Sequence, residues 1–193
     1  MAPRMSHISI AVFALLLFRF EAIASVSHDL DSTQETSTWA SLGFGGGTLS
    51  TSSGFCGRIG ISHQRGNEVF TIRAFRIEES ITSLVEPRSP IPEEKETEFG
   101  VLYGRRFEAG AGYNAFSIGL GLVNSLHRGA LLNQPPYGLN HEAVKITSVG
   151  VSLDIQIFFT PFRYFGIGLS LAGNLNPTRS FGGFLICIQA GDI

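Results

Sequence analysis

Segments in which large apolar side chains alternate with small or polar ones recur along most of the chain. In the clearest of them, Val149-Gly-Val-Ser-Leu-Asp-Ile-Gln-Ile157, a branched apolar side chain occupies every second position. Because successive side chains of a β-strand point to opposite faces, each such segment predicts a strand with one bulky apolar face and one small polar face. The pattern therefore indicates an all-β fold whose sheet has one apolar and one polar side.

Eight segments carry this alternation. We predict strands at Thr38 to Leu49, Phe55 to Gln64, Glu68 to Ile77, Glu96 to Arg106, Tyr113 to Leu126, Thr147 to Thr160, Tyr164 to Gly173 and Phe181 to Gly191. The connections after the second, fourth and sixth strands are short, whereas Glu78 to Lys95 and His127 to Ile146 are long and contain prolines. Short turns at one end and longer loops at the other predict an eight-stranded antiparallel up-and-down transmembrane β-barrel.

The N-terminus has the pattern of a secretory signal. Arg4 precedes the apolar run Ile8 to Phe18, and Ala22-Ile-Ala24 has the small residues typical of a cleavage site. The apolar run is too short to span a bilayer as a helix. We expect residues 1–24 to be a cleaved signal peptide, residues 25–37 a flexible polar tail, and residues 38–193 the barrel domain.

The direction of the apolar face decides between a membrane barrel and a soluble one. An eight-stranded barrel encloses a lumen only just wide enough for side chains, and the polar faces here are rich in glycine and serine. Only 16% of the residues are charged, against about a quarter in an average soluble domain. We therefore expect the bulky face to contact lipid, with Trp39, Tyr103, Phe159 and Phe165 in an aromatic girdle. The alternative is a secreted lipocalin-like or avidin-like barrel that carries an apolar ligand.

In this organisation the chain resembles the small eight-stranded outer-membrane proteins of Gram-negative bacteria, the group of the OmpA membrane domain and OmpX. The resemblance covers Thr38 to Ile193 and concerns architecture. It implies a monomer in outer-membrane lipid. The N-terminus would then lie in the periplasm, with the loops 78–95 and 127–146 outside the cell and available to a partner. Such proteins usually end in an aromatic residue, whereas this chain ends Gln189-Ala-Gly-Asp-Ile193.

Five polar or charged residues on the inward faces are the candidates for a specific site. They are Arg58, Arg73, Glu98, Asp154 and Gln156. In a narrow lumen of low dielectric constant an unpaired charge is costly, so these side chains are expected to pair. We predict a salt-bridged plug rather than a binding site or a wide aqueous channel, because aqueous porin channels need about sixteen strands or more.

A catalytic alternative involves Ser125 and His127, which have the same strand parity and lie close to Asn124. A serine beside a histidine could act as nucleophile and base in a lipid-modifying enzyme, and His141 and Glu142 could extend the set. No Gly-x-Ser-x-Gly motif supports catalysis. We therefore expect a structural or surface-interaction role and no enzymatic activity.

Composition and cysteine content limit which other functions the chain could have. The net charge of −2 and the absence of a basic stripe disfavour nucleic-acid binding. The sequence predicts no cofactor and no metal site. Cys56 and Cys187, the only cysteines, both fall on inward faces of predicted strands that are not expected to be neighbours. Whether they pair in an oxidising compartment stays open.

Overall fold

The computed structural model describes residues 36–49, 52–79, 94–133 and 140–193. The strands are β1 (Thr36–Thr48), β2 (Ser53–Arg65), β3 (Glu68–Glu79), β4 (Lys95–Ala109), β5 (Gly112–Asn133), β6 (Asn140–Phe162), β7 (Phe165–Leu175) and β8 (Phe181–Asp192). Each strand pairs antiparallel with the next, and β8 closes the barrel on β1. The predicted eight-stranded antiparallel barrel is confirmed.

The N-terminal predictions fall largely outside this region. The predicted signal peptide at residues 1–24 and most of the predicted tail at 25–37 lie outside the described residues. The first strand begins at Thr36, within the predicted tail. Among the residues that the structure describes, no helix is long and apolar enough to cross a membrane.

The short connections lie at one end of the barrel, which we call the turn end. Gly66-Asn67 joins β2 to β3, and Gly110-Ala111 joins β4 to β5. Gly66 and Gly110 have φ angles of 60° and 61°, in the left-handed region that glycine adopts without steric cost. The C-terminal Ile193 also lies here, because its backbone N–H donates to the carbonyl of Arg163 at 3.1 Å.

The connections at the opposite end, which we call the loop end, are shorter than the sequence predicts. β5 continues to Asn133 and β6 begins at Asn140, so most of the predicted loop at 127–146 is a two-stranded arm. The loop prediction is wrong for these residues because the strands stay paired beyond the segments in which apolar and polar side chains alternate. The arm has register shifts between Arg128 and Asn133. In the other long connection, residues 80–93 lie outside the described residues.

The bulky apolar face of the sheet lies on the outside of the barrel. Leu42, Ile59, Leu120, Leu169 and Ile186 are between 42% and 65% exposed. The alternate positions point into the lumen and are mostly buried, and many of them are polar. This is the reverse of a soluble barrel, whose apolar side chains fill the interior. The predicted outward direction of the apolar face is confirmed.

One member of the predicted aromatic girdle lies inside the lumen instead. Tyr103, Phe159 and Phe165 are 52%, 53% and 42% exposed and face outward, as predicted. Trp39 is only 2% exposed, and its ring lies 6.1 Å from that of Tyr113. The prediction for Trp39 is wrong because it alternates with Ala40 and Leu42, so the outward positions of β1 are the even-numbered ones.

Candidate functional site

Charged side chains from four strands meet inside the lumen. Arg58 on β2 donates from Nη2 to Oδ2 of Asp154 on β6 at 2.7 Å. Arg73 on β3 donates from Nη2 to Oε1 of Glu98 on β4 at 2.6 Å, and its Nη1 lies 3.6 Å from Oδ2 of Asp154. Gln156 donates to the same Asp154 oxygen at 3.0 Å. The structure thus brings the five sequence-predicted residues into one network, which we call the lumen network.

The lumen network is electrically balanced, with two guanidinium groups and two carboxylates. The exposed fraction of each of these four side chains is 0% or 1%. Buried ions are stable only when their charges and hydrogen-bonding groups are matched. Serine hydroxyls contribute to that match: Ser152 donates to Oε1 of Glu98 at 3.0 Å, and Ser170 donates to Oδ1 of Asp154 at 2.8 Å.

Arg73 also binds the far wall of the barrel. Its Nη1 donates to the carbonyl of Leu153 on β6 at 2.9 Å, and its Nη2 lies 3.3 Å from the carbonyl of Gly173 on β7. Because β3 and β7 are four strands apart in a closed ring of eight, the side chain crosses the full width of the lumen. The lumen network therefore links opposite walls of the barrel through Arg73, in addition to forming ion pairs.

Aromatic side chains lie in the lumen on both sides of the lumen network. Toward the turn end, Tyr113 stacks on Phe158 with ring centroids 5.4 Å apart, and the guanidinium carbon of Arg106 lies 4.0 Å from the Tyr113 ring centre. Toward the loop end, Phe75 stacks on Phe181 at 5.7 Å. The sequence predicts small inward side chains and misses these layers. Their only signal is inward parity near the ends of strands.

A second buried cluster, which we call the Glu96 cluster, lies at the loop end. Ser125 donates to Oε2 of Glu96, and Nε2 of His127 lies 3.7 Å from Oε1 of the same carboxylate. Arg179, between β7 and β8, lies 3.0 Å from Nδ1 of His127 and 2.7 Å from Oε2 of Glu94. Burial alone would raise the pKa of Glu94, but the hydrogen bond and charge of Arg179 outweigh it and lower that pKa.

The Glu96 cluster does not have the geometry of a nucleophilic serine site. In such a site the serine donates to the imidazole, and an acid orients the imidazole from its other nitrogen. Here Ser125 donates to the carboxylate of Glu96, and the second nitrogen of His127 faces Arg179. Ser125 is also only 4% exposed, so a lipid substrate has little access to its hydroxyl.

The structure places the other catalytic candidates elsewhere. Asn124 accepts a hydrogen bond from Thr147 at an exposed position, at 2.9 Å. Nδ1 of His141 lies 3.3 Å from the carbonyl of Gly129 within the two-stranded arm, and Glu142 is exposed. Only Ser125 and His127 of the predicted set are therefore brought together, and they meet through Glu96.

Several solved structures contain a similar barrel. Neisserial surface protein A (NspA) matches with a TM-score of 0.57 and 13% identity, over 80% of this chain and 96% of that one. Ail, the attachment invasion locus protein of Yersinia pestis, in complex with the heparin analogue sucrose octasulfate, matches at 0.53 and 9% identity, over 83% and 99%. The N-terminal β-barrel domain of Pseudomonas aeruginosa OprF matches at 0.50 and 12% identity, over 80% and 96%.

The fold is that of the small outer-membrane barrels. The resemblance to this group is confirmed for architecture, and at these identities the likeness concerns the fold alone. No protein-family model and no curated protein matches the sequence. The likeness therefore extends to the fold of this small barrel and not to its function.

Both cysteines of the barrel are buried free thiols. A Cβ atom built on Gly183 would lie 2.6 Å from Sγ of Cys56, and one built on Gly43 would lie 2.4 Å from Sγ of Cys187. Gly183 and Cys187 are four residues apart on β8, which is about 13 Å along a strand. The two cysteines lie on β2 and β8, the two neighbours of β1, and their thiols are not joined by a disulfide.

Metal binding has no support within the described residues. In that part of the chain, no group of three or more His, Cys, Asp or Glu side chains is placed to hold a metal ion. The carboxylates of the lumen network already accept hydrogen bonds from arginine side chains. The candidate site of this small barrel is therefore its pair of buried clusters, together with the loop end above them.

Proposed function

We propose that this protein is a bacterial outer-membrane barrel with a closed lumen, which acts at the cell surface through its loop end. The observation that carries the proposal is the exposed apolar belt. On β6 alone, Val149, Ile157 and Phe159 are each more than half exposed. Exposing such surface to water costs about 25 cal/mol per Å², and contact with acyl chains removes that cost. A carrier of an apolar ligand would need an apolar interior, whereas this interior holds ion pairs.

The proposal of a closed lumen rests on what crosses it. Arg73 reaches from one wall to the other, and aromatic pairs lie on either side of the lumen network. An eight-stranded barrel leaves room for side chains but not for a wide aqueous channel. The interior of this barrel is therefore proposed to stabilise the fold rather than to conduct ions or transform a substrate.

The proposed orientation places the turn end in the periplasm. Its three turns are each only two residues long, and β1 begins and β8 ends there. The loop end carries the two-stranded arm and the connection at 80–93. Short periplasmic turns and longer extracellular loops are the usual arrangement in outer-membrane barrels.

The loop end is proposed to bind an extracellular partner through residues 78–95 and 127–146. Ion pairs link the residues at the ends of these connections. Arg128 on the arm pairs with Glu79 on β3, and Arg179 pairs with Glu94 at 2.7 Å. These ion pairs order the described residues at the ends of the proposed binding region, so fewer side chains have to be ordered when a partner binds. Because Ail shares this fold and is described in complex with a heparin analogue, heparin is the first probe for a partner.

The proposal is tested with the full chain expressed in Gram-negative cells. Membrane fractionation and heat-modifiable gel mobility report insertion, and whole-cell binding of labelled heparin reports the surface interaction. Deletion of residues 82–92 should leave insertion intact and abolish heparin binding. The matched control is the turn-end substitution Asn67→Ser, which should change neither property.

Each outcome bears on a different part of the proposal. Recovery of the folded wild-type chain in the soluble fraction would contradict the membrane location. Heparin binding that survives the deletion would contradict a role for the 78–95 connection. Wild-type cells that bind no heparin would exclude a sulfated glycan as the partner.

A further inference from the structure

The apolar belt is interrupted by a groove of about 550 Å³ across β1, β2 and β3. At its floor, Gly57 and Ala74 replace the bulky outward side chains found elsewhere on the belt. Phe44 and Phe55 line the groove beside Gly57, and Ile59 lines it beside Ala74. In the register of the sheet, Phe44 lies opposite Gly57 and Ile59 lies opposite Ala74, so each small residue faces a large one. The groove is the consequence of these pairings.

The fold does not require glycine at position 57. A Cβ atom built there would have the carbonyl oxygen of Gly43 as its nearest neighbour, at 3.9 Å. By contrast, a Cβ on Gly104 would lie 2.0 Å from the carbonyl oxygen of Phe116, so close packing accounts for that glycine. Gly57 has room for a side chain, and its effect is to keep the groove open.

One end of the groove is cationic. Arg76 is the next outward residue after Ala74 on β3, and its side chain is 55% exposed. Glu78 pairs with Arg76 and lies opposite Lys95 in the register of β3 and β4. Arg76 and Glu78 line the groove at this rim, and with Lys95 on the neighbouring strand the three residues carry a net charge of +1. Thr97, opposite Arg76 on β4, adds a hydroxyl to the same rim.

From the apolar groove and its cationic rim we infer a binding site for one anionic, phosphate-bearing membrane lipid, with an acyl chain along Gly57 and Ala74 and its phosphate at Arg76. The inference rests on the membrane location proposed above. Arginine and phosphate form strong charge-assisted hydrogen bonds, and the aromatic walls match a hydrocarbon chain. A second copy of this chain is a poorer occupant, because a twofold interface through the groove brings two copies of the same cationic rim together.

The site is tested by native mass spectrometry of the full chain, released from a neutral detergent and titrated with dioleoyl phosphatidylglycerol or dioleoyl phosphatidylcholine. The wild-type chain should bind one phosphatidylglycerol about tenfold more tightly than phosphatidylcholine, as expected for one charge-assisted contact. Gly57→Leu fills the groove and should weaken phosphatidylglycerol binding about tenfold. Arg76→Gln should bring the two lipids to equal affinity.

Gly46→Leu is the matched control. Gly46 is an outward glycine on β1 whose added Cβ would also have its nearest neighbour at 3.9 Å, and it lies outside the groove. This variant should bind phosphatidylglycerol as the wild type does. The site would be overturned if the wild type bound the two lipids with equal affinity, or if Gly57→Leu bound phosphatidylglycerol as tightly as the wild type. A dimer that Gly57→Leu abolishes would also overturn it.

Insertion into phosphatidylcholine vesicles, followed by heat-modifiable mobility, separates this inference from the proposed function. A wild-type chain that fails to insert contradicts the membrane location itself. A wild-type chain that inserts but does not discriminate between the lipids contradicts only the lipid site. Heat-modifiable mobility of all three variants shows that a binding change is not a folding defect.

Discussion

Replacing Asp154 by asparagine removes the carboxylate on which the lumen network converges. Oδ2 of Asp154 accepts from Arg58 at 2.7 Å and from Gln156 at 3.0 Å, and Nη1 of Arg73 lies 3.6 Å from it. Asparagine has nearly the same volume, so the substitution removes charge without creating a cavity. Two buried guanidinium groups would then share one carboxylate, that of Glu98.

The expected decrease in the free energy of unfolding depends on which buried ion loses its partner. Arg73 keeps its hydrogen bond to Glu98 at 2.6 Å, so Arg58 is the side chain left uncompensated. Removing one member of a buried ion pair costs about 3–5 kcal/mol, and we expect that decrease in the free energy of unfolding for Asp154→Asn. The double variant Arg58→Met/Asp154→Leu should recover much of the loss, because apolar residues can replace a buried pair at little cost.

The assay is equilibrium unfolding by urea in phosphatidylcholine vesicles, followed by tryptophan fluorescence. Trp39 is the only tryptophan, and it is buried in the lumen, so its emission reports the folded barrel. The control is Asp192→Asn in the surface pair with Arg163, whose side chains are 45% and 69% exposed. An exposed pair of this kind contributes about 0–1 kcal/mol. A loss at Asp154 no larger than the loss at Asp192 would refute the reasoning.

Three further predictions test other parts of the structure. Leu169→Arg on the lipid face should lower the free energy of unfolding by about 2–4 kcal/mol, and Leu175→Arg nearer the loop end by about 0–1 kcal/mol; equal losses in vesicle unfolding would argue against a membrane belt. Gly104→Ala should abolish heat-modifiable mobility because the new Cβ would lie 2.0 Å from a backbone oxygen, whereas Gly182→Ala, with 3.4 Å, should retain it; two similar gels would contradict this. Ser125→Ala and His127→Ala should leave membrane lipid composition unchanged, and a change on mass analysis would revive the catalytic alternative.

The alternation along each strand shows which side chains share a face of the sheet. For this reason the inward and outward faces of the barrel could be predicted. Since parity assigns each side chain to a face, Arg58 and Asp154 were both placed inward although they lie 96 residues apart. Parity does not say which inward residues meet, because that depends on the stagger between strands. The pairing of Arg73 with Glu98, and its reach to Gly173, could therefore be read only from the structure.

The predictions that were wrong have different physical causes. In the described parts of the arm, residues 127–131 and 141–146, every side chain is exposed or half-buried, so no alternation of buried and exposed positions marks the strands. Trp39 lies near the start of β1, where a large aromatic ring suits either the lipid interface or the end of the lumen. The inward aromatic layers were not predicted because small residues predominate on the inward faces. That average does not identify exceptions such as Tyr113 and Phe158.

The central claim is that apolar side chains face lipid and that the lumen is closed to it. Phe158 and Phe159 test it as adjacent residues, 2% and 53% exposed. In a Trp39→Phe background, Phe158→Trp and Phe159→Trp each provide one tryptophan at nearly the same depth. In vesicles of brominated phosphatidylcholine, we predict strong quenching of tryptophan fluorescence for Phe159→Trp and weak quenching for Phe158→Trp. Equal quenching, or the reverse order, would contradict the account.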